Sequence, residues 1–244
     1  MIMVGRGPPG KLKIIKTILL MNVCVLGSGG FIGSNLMRGK GDNWVGITRQ
    51  QLDLTIQTDV DHFFGTNQFD IVIHCAVVGG SRLQADTGDV CYKNILMFEN
   101  IVRHIDKFKK LIYFSSGATR HGNPPTEPYG LSKWIIDKRI ASMDSRVYSL
   151  CIWGCWGPGE LPTRFSAICK REGHITIPRD RYFDFINVDD IKIMVDKICI
   201  KGGDKFGNLV YTGKKLKLSE WATRFGATYT IENEGLDPHY TSLS

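Results

Sequence analysis

A chain of 244 residues, 43% apolar and 23% charged, has the size of one large α/β domain or of a dinucleotide-type core with a small added lobe, and its composition excludes disordered and fibrous proteins. The formal charge of +7 comes from scattered basic residues that form neither an arginine-rich tail nor a nucleic-acid motif, so neither nucleic acid nor a membrane is expected as a partner. Seven irregularly spaced cysteines, several inside apolar runs such as Val23-Cys24-Val25, read as buried thiols of a reducing, cytoplasmic compartment; they complete no zinc pattern, and no metal is expected.

Residues 1–20 read as an N-terminal extension: a Gly/Pro-rich stretch is followed by an apolar run that Lys11, Lys13 and Lys16 interrupt, which argues against a signal peptide. Residues 22–26 form a short apolar, β-branched run, a buried strand, closed by Gly27-Ser28-Gly29-Gly30-Phe31-Ile32-Gly33 and a helical pattern through Met37. Further strands are predicted over 44–48, 70–75, 111–115 and 146–153. They alternate with helices over 56–64, 88–106 and 129–143. Strands apolar on both faces, alternating with helices, predict a parallel, doubly wound, Rossmann-like α/β sheet. The dinucleotide-binding core is expected over 21–153. Residues 154–244 are expected to be mainly a small substrate-binding lobe with elements returning to the core, including a helix capped by Asp189 or Asp190.

The glycines at 27, 30 and 33 follow a strand and open a helix. There they permit a sharp turn, close approach of backbone N–H groups to a pyrophosphate, and tight helix–sheet packing. Gly27, Gly30, Phe31, Ile32 and Gly33 are therefore the candidate pyrophosphate cradle. The second strand ends Gly46-Ile47-Thr48-Arg49, without the acid that holds ribose hydroxyls in NAD binders. Arg49 suits a 2′-phosphate, which favours NADP(H) over NAD(H), unless it is simply a surface arginine. Asp53, in Leu52-Asp53-Leu54, is placed to border the adenine.

Tyr129 and Lys133 stand at i and i+4 on one helical face. An ammonium beside a phenol lowers the phenol's pKa and suits it to proton transfer near neutral pH. Ser115-Ser116 closes the fourth strand, which puts a hydroxyl at the carboxyl edge of the sheet. Ser116 is the candidate partner for a substrate carbonyl, with Ser115 in reserve. His74 reads as a packed histidine. Arg164 is either a phosphate contact or a surface ion pair.

With these residues in place the chain resembles the extended short-chain dehydrogenases/reductases, the NAD-dependent epimerase/dehydratase family. The likeness rests on Gly27-x-x-Gly30-x-x-Gly33, Ile73-His74-Cys75-Ala76, Asn94 and Asn100, Ser115-Ser116, Tyr129-x-x-x-Lys133 and Phe185-Ile186-Asn187-Val188-Asp189-Asp190. Thr48-Arg49, Leu52-Asp53-Leu54 and Val78-Gly79-Gly80 resemble the GDP-fucose synthase group. The resemblance implies an NADPH-dependent reductase of a 4-keto nucleotide-sugar, with a nucleotide-diphosphate sugar as partner and a homodimer built on helices 88–106 and 129–143. It assigns Ser116, Tyr129 and Lys133 to catalysis, and Tyr129 and Lys133 also to cofactor binding, with Lys133 holding the ribose and tuning Tyr129. It adds Leu54, Cys75, Ala76 and Asn94 to the cofactor residues. Two departures qualify it. Ala118 stands where fucose synthases carry an epimerising cysteine, which favours reduction alone. Phe183 stands where an arginine usually precedes the late signature, which turns attention to Arg179 and Arg181 as substitutes. An NAD-dependent C4 epimerase and a non-catalytic dinucleotide-binding sensor or scaffold are the alternatives.

Overall fold

A computed structural model describes residues 21–81, 84–202, 208–210, 216–238 and 240. The N-terminal extension lies outside the described residues. In chain order the elements are β1 (Val23–Leu26), α1 (Phe31–Met37), β2 (Trp44–Ile47), α2 (Gln57–Thr66), β3 (Phe69–His74), α3 (Gly88–Val102), β4 (Phe108–Ser116), α4 (Pro128–Ala141), β5 (Val147–Ile152) and β6 (Gly154–Trp156). They continue with α5 (Phe165–Glu172), β7 (His174–Asp180), β8 (Phe185–Asn187), α6 (Val188–Lys201), β9 (Asn208–Val210), α7 (Leu218–Arg224) and β10 (Thr228–Leu236). Short 3-10 turns cover Ile105–Lys107 and Gly117–Arg120.

Six parallel strands form the main sheet in the order β2-β1-β3-β4-β5-β9. Strand alternation divides its side chains between two cores. Val23, Val25, Ile71 and Ile73 face α1 and α6 in a core with Leu36, Ile191, Val195 and Ile198. Cys24, Leu26 and Val72 face α2, α3 and α4 in a core with Phe64, Phe98, Ile101, Ile136 and Ile140. A strand buried on both faces has no polar alternation, which is why these segments read as apolar runs. From β1 the chain winds outward to β2, then crosses back to β3 on the other side. The carboxyl ends of β1 and β3 therefore flank a crevice, the position where doubly wound sheets bind ligands.

After Gly154 the chain divides its elements. α6 and β9 join the main sheet. The two-stranded parallel sheets β6–β8 and β7–β10 build a lobe whose own core contains Ile175, Ile177, Phe183, Phe185, Leu218 and Trp221.

Two local expectations are corrected. The helix expected to run to 106 ends at Val102, and the following strand starts at Phe108 rather than Leu111. The basic start of that strand hid it. Lys109 pairs with Asp70 at 2.7 Å, and Lys110 donates to the carbonyls of Ile198 and Cys199 at 2.9 and 2.8 Å. The cap of α6 is Asn187, whose side chain accepts from the Asp189 N–H at 2.8 Å. Asp189 and Asp190 instead occupy the first turn, where they complement the helix dipole.

Candidate active site

The glycine turn after β1 is fixed by close backbone approach. Gly27 has φ +82°, and a Cβ there would stand 2.5 Å from the Ala76 backbone nitrogen. A Cβ at Gly33 would stand 2.4 Å from the Gly27 carbonyl oxygen. Gly30 differs: its φ is −79°, and a Cβ would meet only the Gly27 oxygen, at 3.5 Å. Protein packing does not require a glycine at position 30, which lines the cleft. Gly30 is the N-cap of α1 and offers no side-chain cap, which leaves the first N–H groups of the helix open toward the cleft.

A cavity of about 300 Å³ opens beside this turn, lined by Gly27, Gly29, Gly30, Thr48, Arg49, Asp53, Leu54, Cys75, Ala76 and Val78 among others. Arg49 Nε and Nη2 donate to Asp53 Oδ2 at 3.3 and 3.2 Å, while its side chain stays 71% exposed. Asp53 Oδ1 accepts from the Thr55 hydroxyl and N–H at 2.7 and 2.9 Å. Thr55 first, then Arg49, holds the carboxyl below the usual range. Asp53 is thus a brace for the Arg49 fork. Of the residues expected at the cofactor, Gly27, Gly30, Arg49, Asp53, Leu54, Cys75 and Ala76 line this cavity. Gly33 packs the turn. Phe31, Ile32 and Asn94 lie outside the lining. Asn94 instead clamps the β3–α3 loop, accepting from the Val78 N–H and donating to its carbonyl, both at 2.9 Å. A glycine cradle, an apolar slot and a braced arginine at the β2 edge fit a dinucleotide carrying a phosphate on its adenosine ribose.

The same loop leads into a second cavity. Cys75 to Val78 line the first; Gly79, Gly80 and Ser81 line the second, of about 330 Å³. Its wall also carries Ser116, Tyr129, Trp153, Cys155, Thr163, Arg164, Phe165, Phe183, Phe185 and Tyr240. Ser116 and Ser115 point to opposite faces of β4. Ser116 Oγ lies on the cavity, accepts from the Ala118 N–H at 3.2 Å and stands 3.5 Å from the Tyr240 hydroxyl. Ser115 turns inward and donates to Asp137 at 2.6 Å.

Tyr129 and Lys133 project from one face of α4 toward the sheet. The Tyr129 ring packs so closely on Gly80 (φ +71°) that a Cβ there would stand 2.9 Å from it. Lys133 is 4% exposed. Its Nζ donates to the Phe114 carbonyl at 2.7 Å, lies 4.4 Å from the centre of the Tyr113 ring and 5.7 Å from that of Tyr129. The expected lowering of the Tyr129 pKa is not what the surroundings produce. Burial pushes the phenol up to about 12, against a hydrogen bond from Ser116 and the charge of Arg164. A protonated phenol is the form needed to give a proton to a carbonyl.

Burial pushes Lys133 down to about 8, partly offset by the Asp137 carboxylate. Between that value and the ordinary lysine range, the unfolded chain holds a proton that the folded one has lost. Stability owed to this site therefore rises with pH through the window, by about 3 kcal/mol in all. Buried thiols pushed upward act in the opposite sense above their ordinary range. The quantity to read is thus the difference between wild type and Lys133→Met in urea melts from pH 7.5 to 9. Wild type is expected to gain on the variant as pH rises; parallel curves would contradict the assignment.

Arg164 stands at the wall of the second cavity. Its guanidinium lies 5.3 Å from the centre of the Phe31 ring on the glycine turn, and one Nη donates to the Cys155 carbonyl at 3.1 Å. Its Nε is buried without a partner, an open donor at a cavity wall. Arg179 and Arg181 do not reach this cavity. Arg179 lies on β7 and pairs with Asp237 at 3.8 Å, and Arg181 follows β7 at the edge of the lobe. Phe183, where the family carries an arginine, stacks on Phe185 at 4.5 Å and lies tilted against Tyr240 at 4.8 Å, so the wall is aromatic where a charge was expected. His74 is 2% exposed, packed on Tyr113 and pushed down to about 3 by burial, a neutral core residue. Sequence reasoning missed Tyr240, which no motif marks, and Asp137, which the i+4 spacing from Lys133 would have shown.

The family model described as "NAD dependent epimerase/dehydratase family" matches residues 23–198. The chain belongs to that family. It is therefore an NAD(P)-dependent oxidoreductase/epimerase-type protein of the extended short-chain group. No curated protein matches it by sequence. Among solved structures it is similar to the dTDP-4-dehydrorhamnose reductase of Bacillus anthracis in complex with NADP (TM-score 0.74, 17% identity, 86% of this chain and 84% of that one). It is also similar to a GDP-mannoheptose C4 reductase from Campylobacter jejuni with NADP bound (0.71, 19%, 89% and 88%). A GDP-L-fucose synthetase from Naegleria fowleri bound to NADP is a third (0.71, 15%, 90% and 82%). Among the described residues no helix is long and apolar enough to cross a membrane.

Proposed function

We propose that this protein is an NADPH-dependent reductase of a 4-keto nucleotide-sugar, with the lobe beyond Gly154 holding the sugar. The observation that carries the reading is the shared edge of the two cavities: Ser116 and Tyr129 face the second cavity where the loop from the first enters it. The solved structures with this fold that carry NADP in their descriptions include reductases of such sugars, which supports it. When bound, the dinucleotide supplies the hydride. Gly27 and Gly30 shape its cradle, and Arg49, braced by Asp53, takes the 2′-phosphate. Ser116 orients the carbonyl, Tyr129 protonates its oxygen, and Lys133 holds charge beside Tyr129. Arg164, with an open donor, takes an oxygen of the diphosphate.

Reduction without epimerisation is favoured at position 118, where an alanine stands in place of the epimerising cysteine of fucose synthases, and by Cys155 on the cavity wall, whose thiol burial pushes up to about 12. We place the protein in the cytoplasm, in keeping with its free cysteines. We assign it a homodimer through α3 and α4, which Arg139 and Glu99 link at 3.0 Å and which leave Tyr92 66% exposed.

The test is calorimetry with NADPH and NADH, followed by NADPH consumption with GDP- and dTDP-linked 4-keto sugars. Wild type is expected to prefer NADPH by roughly ten-fold or more, the worth of one charged contact to phosphate, and Arg49→Ala to erase the preference by weakening NADPH alone. Equal binding of the two dinucleotides to wild type would move the NAD-dependent epimerase ahead. Binding of neither would end the catalytic reading.

A further inference from the structure

Tyr129, Lys133 and Asp137 stand at successive i+4 positions of α4, on the face turned to the sheet. Lys133 is buried among uncharged partners, the Phe114 carbonyl and the Tyr113 ring. Asp137 is likewise held by neutral groups: Ser115 and Ser149 each donate a hydroxyl to one of its oxygens, at 2.6 and 2.7 Å. Hydroxyls fix a carboxylate in place without cancelling its charge. We propose that Asp137 is a positioning residue, the inward counter-charge that keeps Lys133 an ammonium beside Tyr129. This rests on the reading of Tyr129 and Lys133 as the reacting pair.

The surroundings leave that task to Asp137. The ionisable groups facing Lys133 from other elements are Cys75, Cys151, Tyr113 and His74, and burial holds each in its neutral form at neutral pH. Tyr129, on the same helix, is also protonated there. Asp137 itself faces Lys133 and the exposed Lys138, and Arg120 acts on neighbouring Cys151. Burial raises the Asp137 carboxyl while Lys133 draws it down, and the same burial lowers Lys133 while Asp137 draws it up. Each stabilises the charge of the other. A shallow groove lined by Arg120, Trp134 and Lys138 reaches Asp137 from solvent, so its proton exchanges with water without passing through either binding cavity. The two serines close the argument. Ser115 is the hydroxyl adjacent to the candidate catalytic Ser116, and the strand that presents Ser116 to the substrate cavity therefore also seats the carboxylate that serves Lys133.

The experiment is an NMR titration of the full chain, following lysine Cε and aspartate Cγ resonances in wild type, Asp137→Asn and Ser149→Ala. In wild type Lys133 is expected to titrate near 8. In Asp137→Asn the midpoint is expected to fall by at least about one pH unit. In Ser149→Ala, which loosens the carboxylate but keeps its charge, it is expected to move far less. Wild type alone carries a second check should the asparagine variant not fold: the Asp137 Cγ resonance must show an inflection at the Lys133 midpoint. An unchanged Lys133 midpoint in a folded Asp137→Asn, or no such inflection in wild type, overturns the proposal. With a substrate in hand, the alkaline limb of kcat/KM is expected to move with the Lys133 midpoint. If the titration behaves as expected but no ketone is reduced, the reading of the function fails and the charge pairing stands.

Discussion

Tyr129→Phe is expected to lower kcat for reduction by about 10²- to 10⁴-fold while leaving the Kd for NADPH within about two-fold. The hydroxyl it removes is the proton donor nearest the cavity that Ser116 shares, and the ring that remains keeps its packing on Gly80. Loss in kcat rather than in binding is the signature of an interaction made in the transition state. Because burial pushes the phenol up to about 12, wild-type reduction draws on a fully protonated donor throughout the neutral range. Any alkaline loss of activity below pH 10 should then come from Lys133, at about 8, and not from Tyr129. Stopped-flow hydride transfer at saturating NADPH separates the cases. A Tyr129→Phe enzyme with undiminished hydride transfer would remove Tyr129 from the chemistry, whereas a wild type that binds NADPH and transfers no hydride would favour a dinucleotide-binding scaffold.

The parts of this molecule that could be read from sequence are those whose physics is local. Parallel strands buried on both faces are runs of apolar residues, so β1, β3 and β5 are legible to within one or two positions. The glycine turn was legible because Gly27 and Gly33 answer backbone contacts that no other residue allows, and Tyr129 with Lys133 because one helical turn joins them. What was not legible depends on contacts made across long stretches of chain. Tyr240 reaches Ser116 from 124 residues away, with no motif around it. Arg164, Arg179 and Arg181 are equivalent on paper. Only the fold shows that Arg164 precedes α5 at the cavity wall, whereas Arg179 lies on β7, which pairs with β10, and is not part of that wall. The choice between Ser115 and Ser116 turns on strand pleat and register, since neighbouring residues of β4 face opposite ways. A one-residue uncertainty in sequence exchanges a cavity hydroxyl for the seat of Asp137.

Gly27→Ala and Gly30→Ala should part folding from binding at the same turn. At Gly27 the methyl must be accommodated at φ +82°, a left-handed conformation costing about 1–2 kcal/mol for a residue with a Cβ, and it would stand 2.5 Å from the Ala76 nitrogen. Overpacking of this kind costs about 1–3 kcal/mol more, because the neighbour is backbone of the loop that follows β3 and cannot rotate away. The sum is a large share of the roughly 5–15 kcal/mol that holds a domain together, and in a chain of this size each kcal/mol lowers Tm by about 2–4 °C. Gly27→Ala is therefore expected to melt about 5–20 °C lower by circular dichroism. At Gly30 the backbone is ordinary and the nearest atom to the added methyl is 3.5 Å away. Gly30→Ala is expected to melt within a few degrees of wild type, yet to bind NADPH at least about ten-fold more weakly, since the methyl enters the space where backbone N–H groups meet the pyrophosphate. If Gly30→Ala bound NADPH as wild type does, the pyrophosphate would not lie over this turn. The glycine at position 30 would then lack the ligand that explains it.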